Sequence, residues 1–599
     1  MPTMQSSRNR FSQEAGLPPR PRTPVRGWFR SEHDHGQRSS IVIAFFLLCA
    51  VVLVARLVDL QVVQAKHLSA LAKAEHLSSV VVPAQRGQIY DSQGNLLVGD
   101  TTVYDVFADP ALVPAHERAA ISAKIAKVLG ISSSTVEHQL ALPLQFAYLD
   151  KGVSSQTKDA LENLNIDGLG VLPREEQTYV NSPIKGMTFA ANLLGFVNAN
   201  GQGQYGLEQY YNSILQGKPG RESAFTDLQG NPIMLSNVKN VAPKNGTNLM
   251  LGLDSTIQYW AEVDLMKGIQ YAHAQSGMVL VMDTHSGSIK AWAEEPTYNA
   301  AQYATTPEAD FKDIAISNRY EPGSIMKIVT FAGGLNVNAI TPGYTFNEGP
   351  VTIEGQTIHD WDNKAHGMIT MQKVLDMSLN DGAIKVGELM GDNAFYDNLA
   401  NFGIGAPTGI DLANEVYTPL PAQSTWSPLR YAEATFGQSV VATPVEMLAA
   451  LNAVANGGVW VQPHVVDQFV NPNTGAKRNF VPITRRVISA QADATLRTMM
   501  TGVIANSDGE GFDARIPGWV GYEAGKTGTA SVAVNGRYSN SLVIVSFGGF
   551  LPSNNPKFTM LVVLNYPNVP SSEAYGSLLA APVWKQLAEV IINQWHLTP

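Results

Sequence analysis

The chain predicts an α+β fold, with an antiparallel sheet covered by helices, a mixed α/β segment before it and one transmembrane helix. Three observations carry this. Residues 41–55, IVIAFFLLCAVVLVA, hold no charge. From about residue 246 the stretch LMLGLDSTIQYWAEVDLMKGIQYA reads as strand then helix, and GMVLVMDTHSGSIKAWA as strand, Ser-Gly turn, strand, which sets a helix against antiparallel strands. At 599 residues the chain exceeds one ordinary domain.

The N-terminal elements come first. Residues 1–40 are polar and rich in Pro and Arg, with seven arginines, no lysine and three acids, a balance of +4 against −10 for the whole chain. This tail is predicted to be cytoplasmic, and residues 41–62 to be a transmembrane helix extended by Ser39, Ser40 and a snorkelling Arg56. Ala70-Leu71-Ala72 has the small-x-small spacing of a signal-peptidase site, but a 40-residue charged lead is too long for a signal peptide, so an uncleaved anchor is expected. The arginine excess places the N-terminus inside and the body outside. The acidic balance argues against nucleic-acid binding. The one cysteine, Cys49, lies in the apolar run, which excludes an intramolecular disulfide or a cysteine metal cluster.

Residues 63–245 form the first extracytoplasmic region. RGQIYDSQGNLL (86–97) reads as two strands around a Gly-Asn turn, residues 110–165 as helices with Ser/Pro breaks, and GQGQYGLEQYYNSILQGKPG (201–220) as a glycine-rich loop, a helix and a stop. The polar stretch 237–248 reads as a linker into the second region, 246–599. SVAVNGRYSNSLVIVSFGGF (531–550) is a hairpin turning at Asn535-Gly536, FTMLVVLNYP (558–567) a further strand, and AAPVWKQLAEVIINQW (580–595) a covering helix.

AGKTGTA (524–530) invites comparison with a phosphate-binding loop. That motif needs glycine at position 520, which is Val520, and a helix after the lysine, where a hairpin follows instead. The stretch is therefore a strand carrying Lys526, Thr527, Gly528 and Thr529. In NRYEPGSIMKIVTFAGGL (318–335), Ser324 and Lys327 lie three apart on one helix face. A serine nucleophile needs a base in reach, and a lysine serves when burial or a second cation keeps it neutral. Such a pair alone is weak evidence. Ser378 and Asn380 follow at S-x-N spacing, 54 residues on, and Lys526 a further 148 on. S-x-x-K, S-x-N and K-T-G in that order mark penicillin-binding proteins and serine β-lactamases.

YEPGSIMK, FGIGAPTGIDLANE (402–415), TFGQSVVATPVEMLAALNAVANGG (435–458) and the two segments at 86–97 and 203–220 all resemble class B penicillin-binding proteins, the division subclass above all. The resemblance runs from Arg56 to the end. It implies a serine β-lactamase-like transpeptidase domain over 246–599 on an elongated α/β pedestal of dimerisation type. It implies a D,D-transpeptidase that cross-links peptidoglycan stem peptides of lipid-linked strands, releases D-Ala, needs no cofactor or metal, and is inhibited by β-lactams. By the same resemblance Ser324 is the nucleophile, Lys327 its base, Ser378 a proton relay and Asn380 a holder of Lys327. Lys526 supplies positive charge, Thr527, Gly528 and Thr529 bind the substrate carboxylate end, and the backbone N–H groups of Ser324 and Thr529 form the oxyanion hole. A polytopic glycan-polymerising glycosyltransferase is the implied partner. Departures are Ile325, Leu379 and Asp381, where relatives commonly carry Thr or small and apolar residues. An elongation-type enzyme, a β-lactam-hydrolysing or sensing protein and a non-catalytic division scaffold are the alternatives. His359, Asp360, Asp362 and His366 read as a polar surface loop in preference to a metal site, and Trp361 either lines the cleft mouth or belongs to the core.

Overall fold

The computed structural model describes residues 34–69, 77–225, 240–534 and 537–599. Most of the N-terminal tail, the start of the expected linker and the Asn535-Gly536 turn lie outside the described residues. The chain divides into two units, Met1–Val80 with Glu222–Lys239, and Val81–Arg221 with Asn240–Pro599. In the first, helix α1 (Asp34–Val58) runs into a π-helical turn, Asp59–Val63. Ser40–Val63 is long and apolar enough to cross a membrane. Its large side chains, Ile41 to Leu53 among them, are exposed on every side, as lipid contact requires.

The second unit holds two large sheets. In the first, β1 (Ile89–Tyr90), β2 (Leu96–Ala108), β3 (Ala147–Val153) and β4 (Leu169–Tyr179) join β5 (Asn248–Leu251). β1 pairs antiparallel with β2 and parallel with β5, β2 pairs with both β3 and β4, and β5 pairs with Val466–Val470. One sheet thus takes strands from both sides of residue 246. The β1–β2 turn is held by Asp91, whose Oδ1 accepts from Gln93 N and Asn95 N at 2.9 and 2.8 Å. Helices α2 (Arg118–Leu129), α3 (Ser133–Leu140) and α4 (Ser155–Glu162) pack through Ile125, Val136, Leu140 and Leu161 onto Val106, Ala108 and Leu149. β3 lies inside the stretch read as helices and breaks. The expected helix after Gly201 is two short pieces, Gly206–Tyr210 and Asn212–Leu215. There Glu208, fully buried, accepts from Arg86 Nε at 2.9 Å, so the two quoted segments of the first region meet in one ion pair.

The second sheet is antiparallel throughout: β6 (Ser276–Asp283), β7 (Ile289–Glu295), β8 (Ala524–Val534), β9 (Arg537–Leu551) and β10 (Phe558–Asn565), in the order β7-β6-β10-β9-β8. Both faces are covered, which is why β10 is buried throughout and reads as a nearly continuous apolar run, Met560 to Leu564. Phe558, Met560, Val562 and Leu564 point to one core, and Leu561 and Val563 to the other. The first core is closed by α5 (Ser255–Ala272), capped by Asp254, and by the C-terminal helix. The second packs α6 (Met326–Asn336), α7 (Met371–Asp376), α8 (Asn380–Met390), α9 (Pro444–Ala455) and α10 (Ala490–Ala505). α9 is buried at every residue and opens on a capping box of Thr443 and Glu446. The C-terminal helix, α11 (Gly576–Gln594), begins four residues before the expected Ala580 and carries Pro582 within it. β8 is the sheet's edge strand, and the site lies beside it.

Candidate active site

Ser324 sits in a single 3-10 turn, Gly323–Ile325, that runs into α6. Two elements fix this turn. Gly323 N donates to Gly437 O at 3.1 Å, and Tyr320 and Ala442 exchange both backbone hydrogen bonds. A Cβ on Gly437, whose φ is +82°, would lie 2.2 Å from Gly323 O, so only glycine lets the 435–442 segment close on the nucleophile turn. On the other side, a Cβ on Gly528 would meet Ser546 Oγ at 2.3 Å and Ile325 Cγ1 at 3.1 Å, so this glycine lets β8 lie against the turn. Ser324 is half-buried.

Lys327, one turn on, is fully buried. Its Nζ lies 2.5 Å from Ser378 O, 3.4 Å from Ser378 Oγ and 2.9 Å from Asn380 Oδ1. Ser378 occupies the left-handed region, φ +60°, between α7 and α8, which turns its carbonyl and hydroxyl to the lysine. Burial pushes Lys327 well below the ordinary lysine range, the charge of Lys526 pushes it further, and Asp360, Asp381 and Glu510 oppose both. Lys526 is also fully buried, donates among the described residues to Thr527 O (3.3 Å) and Thr527 Oγ1 (3.2 Å), and is pushed down by burial to about 8 against the pull of Glu510 and Asp376. Thr529 Oγ1 accepts from Gly576 N at 3.2 Å, which leaves its proton free. Among the described residues, Ser378 Oγ accepts from Lys327, and the hydrogen bonds of Lys526 go to Thr527. The eight residues expected to act together thus come from three adjoining elements, Ser324 and Lys327 from the start of α6, Ser378 and Asn380 from the α7–α8 turn, and Lys526 to Thr529 from β8.

Residues 277–589, more than half of the sequence, match the profile described as penicillin binding protein transpeptidase domain, and residues 81–251 that of the penicillin-binding protein dimerisation domain. The chain belongs to the penicillin-binding protein transpeptidase family. It is a class B member and carries that family's serine acyltransferase domain. Stage V sporulation protein D of Bacillus subtilis is 27% identical over 91% of this chain and 84% of its own. Peptidoglycan D,D-transpeptidase FtsI of Escherichia coli is 26% identical over 93% of this chain and 92% of its own. A peptidoglycan synthetase from Bifidobacterium adolescentis is similar in structure (TM-score 0.68, 25% identity, covering 87% of this chain and 98% of that one). Penicillin binding protein 2X from Streptococcus thermophilus shares the fold (TM-score 0.72, 23% identity, 86% and 80%).

The three motifs of this penicillin-binding protein were legible, but their surroundings were not. The 358–367 segment is not simply a surface loop. His359 and Trp361 are exposed, whereas Asp360 is buried and accepts from Asn380 N. Trp361 is not part of the core: it is exposed, and its ring stands edge-on to Tyr575 with centroids 6.3 Å apart. Glu348, Asp360 and His366 bring one ligand atom each to within 4.8 Å of one another, so these three residues could hold a small cation. Asp381 joins the two carboxylates, and burial with their proximity pushes its carboxyl up to about 10. Glu510, which interacts electrostatically with both lysines, comes from a loop whose sequence, SDGEG, carries no signal of its own.

Proposed function

We propose that this class B penicillin-binding protein is a membrane-anchored D,D-transpeptidase acting through a Ser324 acyl-enzyme. One observation carries the reading: two lysines, Lys327 and Lys526, are fully buried and neither forms an ion pair among the described residues. Burying unpaired cations costs stability, and the arrangement has a use only where one of them must be neutral. Neutral Lys327 takes the Ser324 proton as Oγ attacks the penultimate D-Ala carbonyl of a stem peptide. The tetrahedral oxyanion sits between the backbone N–H groups of Ser324 and Thr529, each such donor worth about 3 kcal/mol. The C–N bond then breaks, a proton passes from Lys327 through Ser378 to the leaving amine, and D-Ala departs. Lys526, Thr527 and the Thr529 hydroxyl hold the substrate carboxylate beside Gly528. The amine of a second stem attacks the ester, forms the cross-link and returns the proton to Ser324.

We also propose the septal role, supported by near full-length similarity to the Escherichia coli protein named FtsI. In this reading residues 1–40 are cytoplasmic, 41–62 span the membrane, 63–245 are the pedestal and 246–599 the catalytic domain outside. Lipid-linked strands are the substrate, a polytopic glycosyltransferase supplies them, and β-lactams acylate Ser324. Labelled penicillin tests the chemistry: a transpeptidase gives a long-lived adduct, a lactamase fast turnover, a scaffold neither. Depletion tests the role, with filamentous cells expected and rounded cells contradicting it.

A further inference from the structure

The segment His359–Trp361 belongs to none of the three motifs, yet it grips the second from three sides. Asn380 Nδ2 donates to the His359 carbonyl at 3.1 Å, Asn380 N donates to Asp360 Oδ1, and Trp361 Nε1 donates to the Met377 carbonyl at 3.0 Å. Trp361 also rests on Tyr575, the residue before Gly576, whose N–H holds Thr529 Oγ1. The segment therefore fixes the turn around Ser378 and touches the anchorage of β8 across the cleft.

The consequence lies in the Asn380 amide. A neutral lysine has two N–H donors and one lone pair. Ser378 O and Asn380 Oδ1 accept both donors, at 2.5 and 2.9 Å, which leaves the lone pair for a hydroxyl proton. A flipped Asn380 would turn its NH2 toward Lys327 and donate into that lone pair, quenching the base. The His359 carbonyl can only accept, so it admits only the NH2 on its side. We propose that His359–Trp361 is a positioning strap that keeps Asn380 an acceptor toward Lys327, so that the lysine's lone pair stays available to Ser324. This rests on the roles proposed above for Ser324 and Lys327.

The test is single-turnover acylation of the full chain in detergent by a slow labelled penicillin, over a concentration range that separates the acylation rate constant from the dissociation constant of the preceding complex. Asp360→Ala removes the acceptor at Asn380 N and should lower the rate constant about 30-fold or more, with the dissociation constant within about threefold, the size expected for a hydrogen bond to a charged group. Asp360→Asn keeps an acceptor oxygen and should recover most of the loss. Trp361→Phe keeps the contact with Tyr575 and drops the anchor on Met377, for a loss of about fivefold to tenfold in the rate constant alone. An unchanged rate constant in folded Asp360→Ala overturns the strap. So does equal slowing in the Asn and Ala variants, because an acceptor oxygen at position 360 would then make no difference. If Asp360→Ala does not fold, an unchanged rate constant in Trp361→Phe overturns it. A wild type that is not acylated overturns the site assignment beneath it, which is a distinguishable failure.

Discussion

Replacing Lys526 by alanine removes the cation that burial and β8 hold beside Lys327. Two consequences follow, and pH separates them. Lys526 titrates at about 8, so its charge is present below that pH and fades above it. While present, it is the second cause, after burial, of the lowered Lys327 pKa. Lys327 acts as a base when neutral. Losing a neighbouring cation raises its pKa, which shrinks the neutral fraction at every pH below the acid limb and moves that limb to higher pH. Like unit charges at contact range, about 4 Å, repel by about 4 kcal/mol at an effective dielectric of about 20, and by less as they separate. Each 1.4 kcal/mol is tenfold in the neutral fraction. The expected loss in second-order acylation by penicillin is therefore on the order of 100-fold near pH 6–7. The gap should narrow above pH 8, where the wild-type lysine is itself losing its charge. Lys526→Arg keeps a cation and should restore part of the limb's position. The assay is the acylation rate across pH for the three proteins. An unshifted limb with near-normal acylation in Lys526→Ala would refute the reasoning and leave this lysine a structural strand residue.

Two further outcomes are expected. Gly437→Ala places a Cβ 2.2 Å from Gly323 O and must push the nucleophile turn, so acylation should fall at least about tenfold while the melting temperature drops by several degrees, measured by penicillin labelling and thermal unfolding. A reporter fused after Pro599 should be active only outside the cytoplasm, and activity confined to the cytoplasm would contradict the anchor's orientation.

What could be read from the sequence was local. S-x-x-K, S-x-N and K-T-G are each a few residues long, and each sits on the start of one helix, one turn or one strand, so their spacing survives without knowledge of the fold. The strand-then-helix order of β5 and α5, the β6–β7 hairpin and β8–β10 were legible for the same reason: turns and strand- or helix-length apolar patterns are short-range signals. What the sequence hid depends on chain segments far apart meeting. Asp360 reaches Asn380 across 20 residues and is buried although its neighbours are exposed. Glu510 faces Lys327 and Lys526 from a loop of small polar residues. β3, AYLDKGV, alternates buried Ala147 and Leu149 with exposed Tyr148, a period-2 signal too short to stand out among the helices around it. The sharing of one sheet between β1–β4 and β5 could not be seen from a polar stretch that reads as a linker.

The central claim is that Ser324 forms the acyl-enzyme. Incubation of the full chain with a penicillin, proteolysis and mass mapping of the adduct tests it most directly. The account predicts one long-lived penicilloyl group on the peptide containing Ser324, absent from a folded Ser324→Ala variant. A stoichiometric adduct on any other residue, or one that persists in Ser324→Ala, would contradict it.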